Sequence, residues 1–344
     1  MIKNLARNIQ KHKDFLVGKE KWLLGIKVRV PQRDIYPFDE SFQNPAKALE
    51  ERLHALKPTL EVNSDFIPSI MHNRMVWTIP SMFGCKMPLI NDEPWATPII
   101  TDIKQVWDIR EPDMNSGVLP KVIELLAYFK KNAPDGIPVT PPSEHTPLNI
   151  AYMLRGSDLF TDLYDHPEEV KQLLQLITNT FIKVEYCYKK VLQEETKYRI
   201  TFAGFYISGL RIAGDCNVNL SPDFIREFEI PYLERIANIF GDLMIHYCGT
   251  NVNPGHQIAN VMAQYSFIKV IHTQLTPFFT QNEENLVQYP FKLISIWEIP
   301  DLEKFIDKNI NKIKRIGQLG FFVEVNSVEE GKDLIKKWLH IKES

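Results

Sequence analysis

The fold is decided by residues 200–249, ITFAGFYISGLRIAGDCNVNLSPDFIREFEIPYLERIANIFGDLMIHYCG. Ile200–Ile207 is apolar and β-branched or aromatic enough to be a strand, and SGLRIAGDCNVNL then reads as the loop after it. Ser221-Pro222-Asp223 is a helix start: a hydroxyl cap, a proline whose missing N–H costs nothing in the first turn, and an acid at the positive end of the dipole. The helix runs toward Phe240, with a kink predicted at Pro231. Leu243–His246 is a second strand. A strand, a helix and a strand in about fifty residues form a βαβ unit, whose two strands are parallel and adjacent.

The same alternation extends in both directions. Upstream, Pro45–Leu56, Leu119–Asn132 and a long segment from Pro167 are helical by apolar spacing, and Phe66–Met71 and Ile137–Thr140 are short strands. In the long helix Val170, Leu173, Leu174, Ile177, Phe181, Val184 and Tyr188 recur at three- and four-residue steps. Downstream, Phe267–Ile271, Leu293–Trp297 and Phe321–Val325 are strands, and Ser327 with Glu330 opens the last helix as a capping box. Residues 85–118 are rich in Pro, Asp and Asn and form an excursion over the surface. No nucleotide-binding glycine motif follows any strand. The alternation therefore predicts an α/β fold of the (β/α)8 TIM-barrel type, with an N-terminal helical extension over residues 1–58 and the barrel over 59–344.

Composition limits the function classes. The chain has 344 residues, 44% hydrophobic and 24% charged, enough to build a large core. Forty basic against forty-three acidic residues leave a net charge of −3, which argues against nucleic acid or an anionic membrane as the main partner. No window is long and apolar enough for a transmembrane helix, and the N-terminus lacks a signal-peptide core, so a cytoplasmic protein acting on a small molecule is expected. The four cysteines, Cys85, Cys187, Cys216 and Cys248, include no CxxC pair and do not suggest a disulfide scaffold.

Sites in such barrels form at the carboxyl ends of the strands. His246 and Cys248 end one strand, and residues two apart on a strand share a face, so imidazole and thiol aim into one space. A histidine packed beside a small buried thiol is the structural alternative. Asp215 and Cys216 follow another strand; Asp215 suits acid–base work or, alternatively, a hydrogen bond to its own loop. Glu298, His272 and Glu324 lie at or near further strand ends, and a carboxylate within an apolar strand, as at Glu324, needs a partner. Arg211, Arg155 and Tyr206 are candidates for holding an anionic substrate, or for salt bridges at the surface. Cys187 and Cys85 read as structural.

The order Leu220-Ser221-Pro222-Asp223-Phe224, Glu227-Phe228, Ile230-Pro231-Tyr232 and Ile245-His246-Tyr247-Cys248-Gly249 resembles the uroporphyrinogen decarboxylase superfamily. So do Met153-Leu154-Arg155-Gly156, Leu159-Phe160 and His166-Pro167-Glu168-Glu169-Val170. The resemblance extends over roughly residues 60–340. It implies a (β/α)8 barrel. The true decarboxylases carry an Arg-Gln-Ala-Gly-Arg string that binds substrate carboxylates; this chain has none, only Arg74 in MHNRMVW. The sequence is nearer the corrinoid-dependent methyltransferases, similar to the methylcobalamin:coenzyme M enzymes, whose zinc is held by His-x-Cys and a later cysteine. His246 and Cys248 match the first pair. No cysteine follows Cys248, so Glu324 is the expected third ligand, with Cys216 or Glu298 as rivals.

The resemblance thus implies a zinc-dependent methyltransferase that moves a methyl group between a corrinoid on a partner protein and a small acceptor such as a thiol. One alternative is a metal-independent decarboxylase or lyase acting on a small anion, with Asp215, Tyr206 and Arg211 as catalytic residues. Another is a non-catalytic barrel that binds a corrinoid or tetrapyrrole.

Overall fold

Parallel strands covered on both faces need apolar residues on both faces, and the strands of this chain have them. The computed structural model describes residues 4–343 apart from 33, 72–76, 91–92, 195–198, 202, 249–255, 281–288, 296–301 and 317. Six strands form one parallel sheet: β1 (Trp22–Val28), β2 (Gly209–Ala213), β3 (Asp242–His246), β4 (Ile268–Thr273), β5 (Lys292–Ser295) and β6 (Leu319–Val325), in the order β1-β6-β5-β4-β3-β2. Two further staves close the ring. Ile70 bridges Val139 and His145 bridges Ala213, both in parallel. The Asp65 N–H donates to the Leu24 carbonyl at 2.7 Å, and the Asp65 carboxylate accepts the Leu24 N–H at 2.8 Å. Segments 64–70 and 138–146 therefore join β1 to β2 and complete a barrel of eight staves.

Alternation sorts the side chains. Leu23, Met244, Val270, Ile294 and Phe322 point inward and pack as one interior cluster. Leu24, Ile26, Leu210, Ile212, Leu243, Ile245, Phe321 and Val323 point outward and pack under the helices. Gly25 is needed inside the ring, because a Cβ there would come within 2.4 Å of the Phe322 ring. Besides α1 (Leu5–Leu16), which lies across one end of the ring, helices form the outer layer: α2 (Pro45–Leu56), α3 (Leu119–Asn132), α4 (Pro147–Arg155), α5 (Pro167–Leu192), α6 (Pro222–Phe228), α7 (Ile230–Phe240), α8 (Leu302–Ile316) and α9 (Val328–Glu343). Ser221 caps α6 through the Phe224 N–H. The kink expected at Pro231 is a break at Glu229, with Pro231 in the first turn of α7. No helix among the described residues is long and apolar enough to cross a membrane.

α1 and a hairpin plug the amino-terminal end of the barrel. Residues Arg199–Ile200 pair antiparallel with Tyr206–Ile207. Phe205 from the hairpin and Phe15 from α1 join the interior cluster. His12 lies between them: its Nε2–H donates to the Asp65 carbonyl at 2.7 Å, its Nδ1 accepts the Tyr206 N–H at 3.1 Å, and its ring stacks on Phe205. Burial drives its pKa down to about 4.

Two expectations are corrected here. Ile200–Ile207 is a hairpin, not a barrel strand; the strand is Gly209–Ala213, within the stretch read as a loop. Positive φ at Gly204 turns the chain, and Arg211 in the middle of the true strand disguises its burial. The division at residue 58 also fails, because β1 lies before it and pairs with β6 along its whole length, Trp22 with Leu319 through Val28 with Val325.

Candidate metal centre

β3 delivers His246 to the carboxyl end of the barrel, where it is paired across the sheet with His272 of β4 and Ala213 of β2. Tyr247 turns outward into the helical layer and is fully buried, while Cys248 is exposed at the mouth. The Cys248 Sγ lies 3.7 Å from His246 Nε2. Asp215, the first residue of a 3-10 turn (Asp215–Asn219) after β2, comes from the neighbouring strand end. Its Oδ1 accepts the Cys248 N–H at 3.0 Å and lies 3.7 Å from His246 Nε2. One ligand atom from each of Asp215, His246 and Cys248 lies within 4.8 Å of the other two.

The histidine is prepared to be a ligand. His246 Nδ1 is 3.1 Å from the His272 carbonyl, so Nδ1 carries the proton and donates it. The lone pair is left on Nε2, facing the thiol and the carboxylate. Burial, with help from Arg211 and His272, holds the His246 pKa well below its ordinary value, so the ring is neutral at pH 7. A neutral imidazole fixed through its other nitrogen is the form that metals bind.

Beneath these residues lies a polar layer inside the ring. The Arg211 guanidinium donates to Ser143 Oγ at 2.9 Å and to His272 Nδ1 at 3.3 Å. The His246 and His272 rings are 4.8 Å apart. Burial pulls the Arg211 pKa down to about 9 against the opposing pull of Asp215 and Cys248. His145, in the stave beside β2, places Nε2 3.9 Å from Asp215 Oδ2. Sequence reasoning missed His145, although it follows the candidate strand Ile137–Thr140 in PPSEHT and so obeys the strand-end rule that found the others.

The remaining expected site residues lie elsewhere. Glu324 does not reach the centre: it sits three strands round the ring from β3 and is held by Lys27 and Arg29, each at 3.1 Å. Its carboxylate finds partners as required, but they are cations. Cys216 is buried, its thiol pushed up by burial and by Glu229 and Asp215, and it is not in the ligand group. Tyr206 is at the plugged end of the barrel beside His12, because the hairpin precedes β2 rather than ending it. Arg155 is bound to Asp162, Asp158 and the carbonyls of Ile100 and Thr101. Cys85 is buried, its thiol raised to about 11 by desolvation. Glu298, Arg74 and Gly249 lie outside the described residues.

The model of the uroporphyrinogen decarboxylase (URO-D) family matches residues 30–194. That segment, just under half of the chain, is similar to the uroporphyrinogen decarboxylase family. The fold of the whole chain is similar to that of a methyltransferase from Methanosarcina mazei, which superposes with a TM-score of 0.64 over 96% of this chain and 97% of that one, at 16% identity. That identity carries the fold and no more. No curated protein sequence matches the chain. The URO-D match ends before Asp215, so the identity of the ligand group rests on its geometry.

Proposed function

We propose that this chain is a cytoplasmic, zinc-dependent methyltransferase that moves a methyl group between a corrinoid carried by a partner protein and a small acceptor such as a thiol. The observation that carries the reading is the convergence of Asp215, His246 and Cys248 at the strand-end mouth of the barrel. The residues fit the metal. Nitrogen, sulfur and oxygen donors suit zinc, and three protein ligands leave a position open, as in catalytic sites. Zinc bound there would supply a Lewis acid that favours the anionic form of an acceptor thiol near neutral pH.

The chain's own residues do the rest. The His272 carbonyl fixes the tautomer and direction of His246. Asp215 holds the Cys248 backbone through its N–H. The buried Arg211 charge under the site favours an anionic substrate. The α1–hairpin plug closes one end of the barrel, so substrate and partner approach from the mouth.

Metal analysis of the purified protein tests the proposal. Stoichiometric zinc, lost in His246→Ala and in Cys248→Ser, is expected. A native protein that neither contains nor takes up zinc overturns it. The observation favouring a second reading, a metal-independent lyase, is the buried Arg211 close to Asp215. In that case chelators leave turnover intact while Asp215→Asn abolishes it.

A further inference from the structure

Asp215 is partly exposed, and among its described contacts only the Cys248 N–H is within hydrogen-bond distance of its carboxylate. A side chain so placed depends on its backbone for position. That backbone is a short turn with three ties. The Gly214 N–H donates to the His246 carbonyl at 2.7 Å, which fastens the turn to the strand bearing the other ligands. The Cys216 N–H donates to Asn149 Oδ1 of α4 at 2.9 Å. The third tie is Asn217, which is fully buried and around whose amide the turn wraps. A Cβ on Gly214 would stand 2.7 Å from Asn217 Nδ2 and 3.2 Å from Glu229 Oε1, so only glycine lets the turn close so tightly.

Asn217 Nδ2 donates to Glu229 Oε1 at 3.1 Å. Glu229 is fully buried at the break between α6 and α7. Burial pushes its carboxyl up to about 7. A leucine at this position would pack without the desolvation cost of a carboxylate. What it would lose is the hydrogen bond that joins the helix break to the Asp215 turn. Glu229 does not belong to the ligand group, so any part it plays there is indirect, and its one described side-chain hydrogen bond runs to Asn217.

We propose that Glu229 is a positioning residue of the metal centre: through Asn217 it fixes the turn that presents Asp215 to His246 and Cys248. The proposal rests on the metal reading above for its purpose, but part of its test does not involve a metal. In the metal-depleted full chain, amide hydrogen exchange at Cys248, whose N–H is held by Asp215, should accelerate at least about tenfold in Glu229→Leu as that partner is released. Cobalt(II) titrated into the same proteins gives the second measurement. Glu229→Leu should bind it about 10- to 100-fold more weakly, the range seen when outer-shell partners are removed. Its ligand-field spectrum should match that of Asp215→Ala while the thiolate charge-transfer band remains.

Glu229→Gln, which keeps an acceptor for the Asn217 amide, should restore affinity to within about threefold of wild type. A general packing defect would not be rescued in this way. Wild-type exchange and wild-type cobalt binding in Glu229→Leu overturn the proposal. Absence of cobalt binding by the wild type overturns the metal reading, and the exchange result then decides the positioning role alone. Should Glu229→Leu fail to fold, Asn217→Ala carries the same expectations and the same overturning result.

Discussion

The Nδ1 atom of His246 lies 3.1 Å from the backbone carbonyl oxygen of His272, the residue directly across the sheet from it. The orientation of a prospective ligand is thus set by main chain on the neighbouring strand, and no side-chain substitution at position 272 removes the acceptor. His272→Phe should therefore keep stoichiometric zinc, whereas His246→Ala and Cys248→Ser should lose it. Metal content after gel filtration, compared with far-UV circular dichroism to verify folding, checks all three. Loss of zinc in His272→Phe with the fold intact would contradict this account.

Glu324 provides the matching control. Its carboxylate is paired with Lys27 and Arg29, both partly exposed. Glu324→Gln should leave metal content unchanged and lower stability by about 1 kcal/mol or less, as expected for screened ion pairs. Urea unfolding together with metal analysis measures both.

His12 makes stability depend on pH. In the folded state its pKa is lowered from 6.5 to about 4 by burial. A histidine buried neutral takes up a proton only on unfolding. Its contribution is therefore fully present above about pH 6.5 and declines as pH falls toward 4. The expected loss from pH 7 to pH 5 is about 2 kcal/mol. Urea melts at the two pH values should show this component in the wild type and not in His12→Gln, which cannot titrate. Equal losses in both proteins would assign the pH effect to other groups.

Gly25 tests the barrel interior. A Cβ at this position would lie 2.4 Å from the Phe322 ring. Gly25→Ala should cost about 1–3 kcal/mol through overpacking. The double variant with Phe322→Leu should recover part of that loss. Strict additivity of the two single effects would show that the residues do not compete for space.

Periodicity made the alternating elements legible, because a parallel barrel buries both faces of each strand and one stripe of each helix. It misplaced β2 because Gly209-Leu-Arg211-Ile-Ala carries an arginine that points into the ring, where a polar layer accepts it. The same inward layer holds His246 and His272, which no apolar pattern can announce. The pairing of His246 with Cys248 was legible from two-residue spacing alone. The place of Asp215 beside them depends on how β2 lies against β3, which is a tertiary relation. Glu324 was correctly read as needing a partner, but its position opposite Lys27 becomes visible only once β1 and β6 are known to pair. That pairing also explains why residues before 58 looked separable: the partner of β1 lies at the far end of the chain.

The same pairing bears on how the molecule assembles. With Trp22 opposite Leu319, the seam between first and last strands joins the most distant parts of the sequence. During synthesis the ring stays an open sheet with two unsatisfied borders until the final stave emerges, and such borders invite pairing with other chains. Closing the seam is a contact of very high sequence separation, and it should come late and slowly. A nascent barrel of this design is thus most vulnerable to aggregation just before completion, when nearly all of its core exists and its edges are still bare.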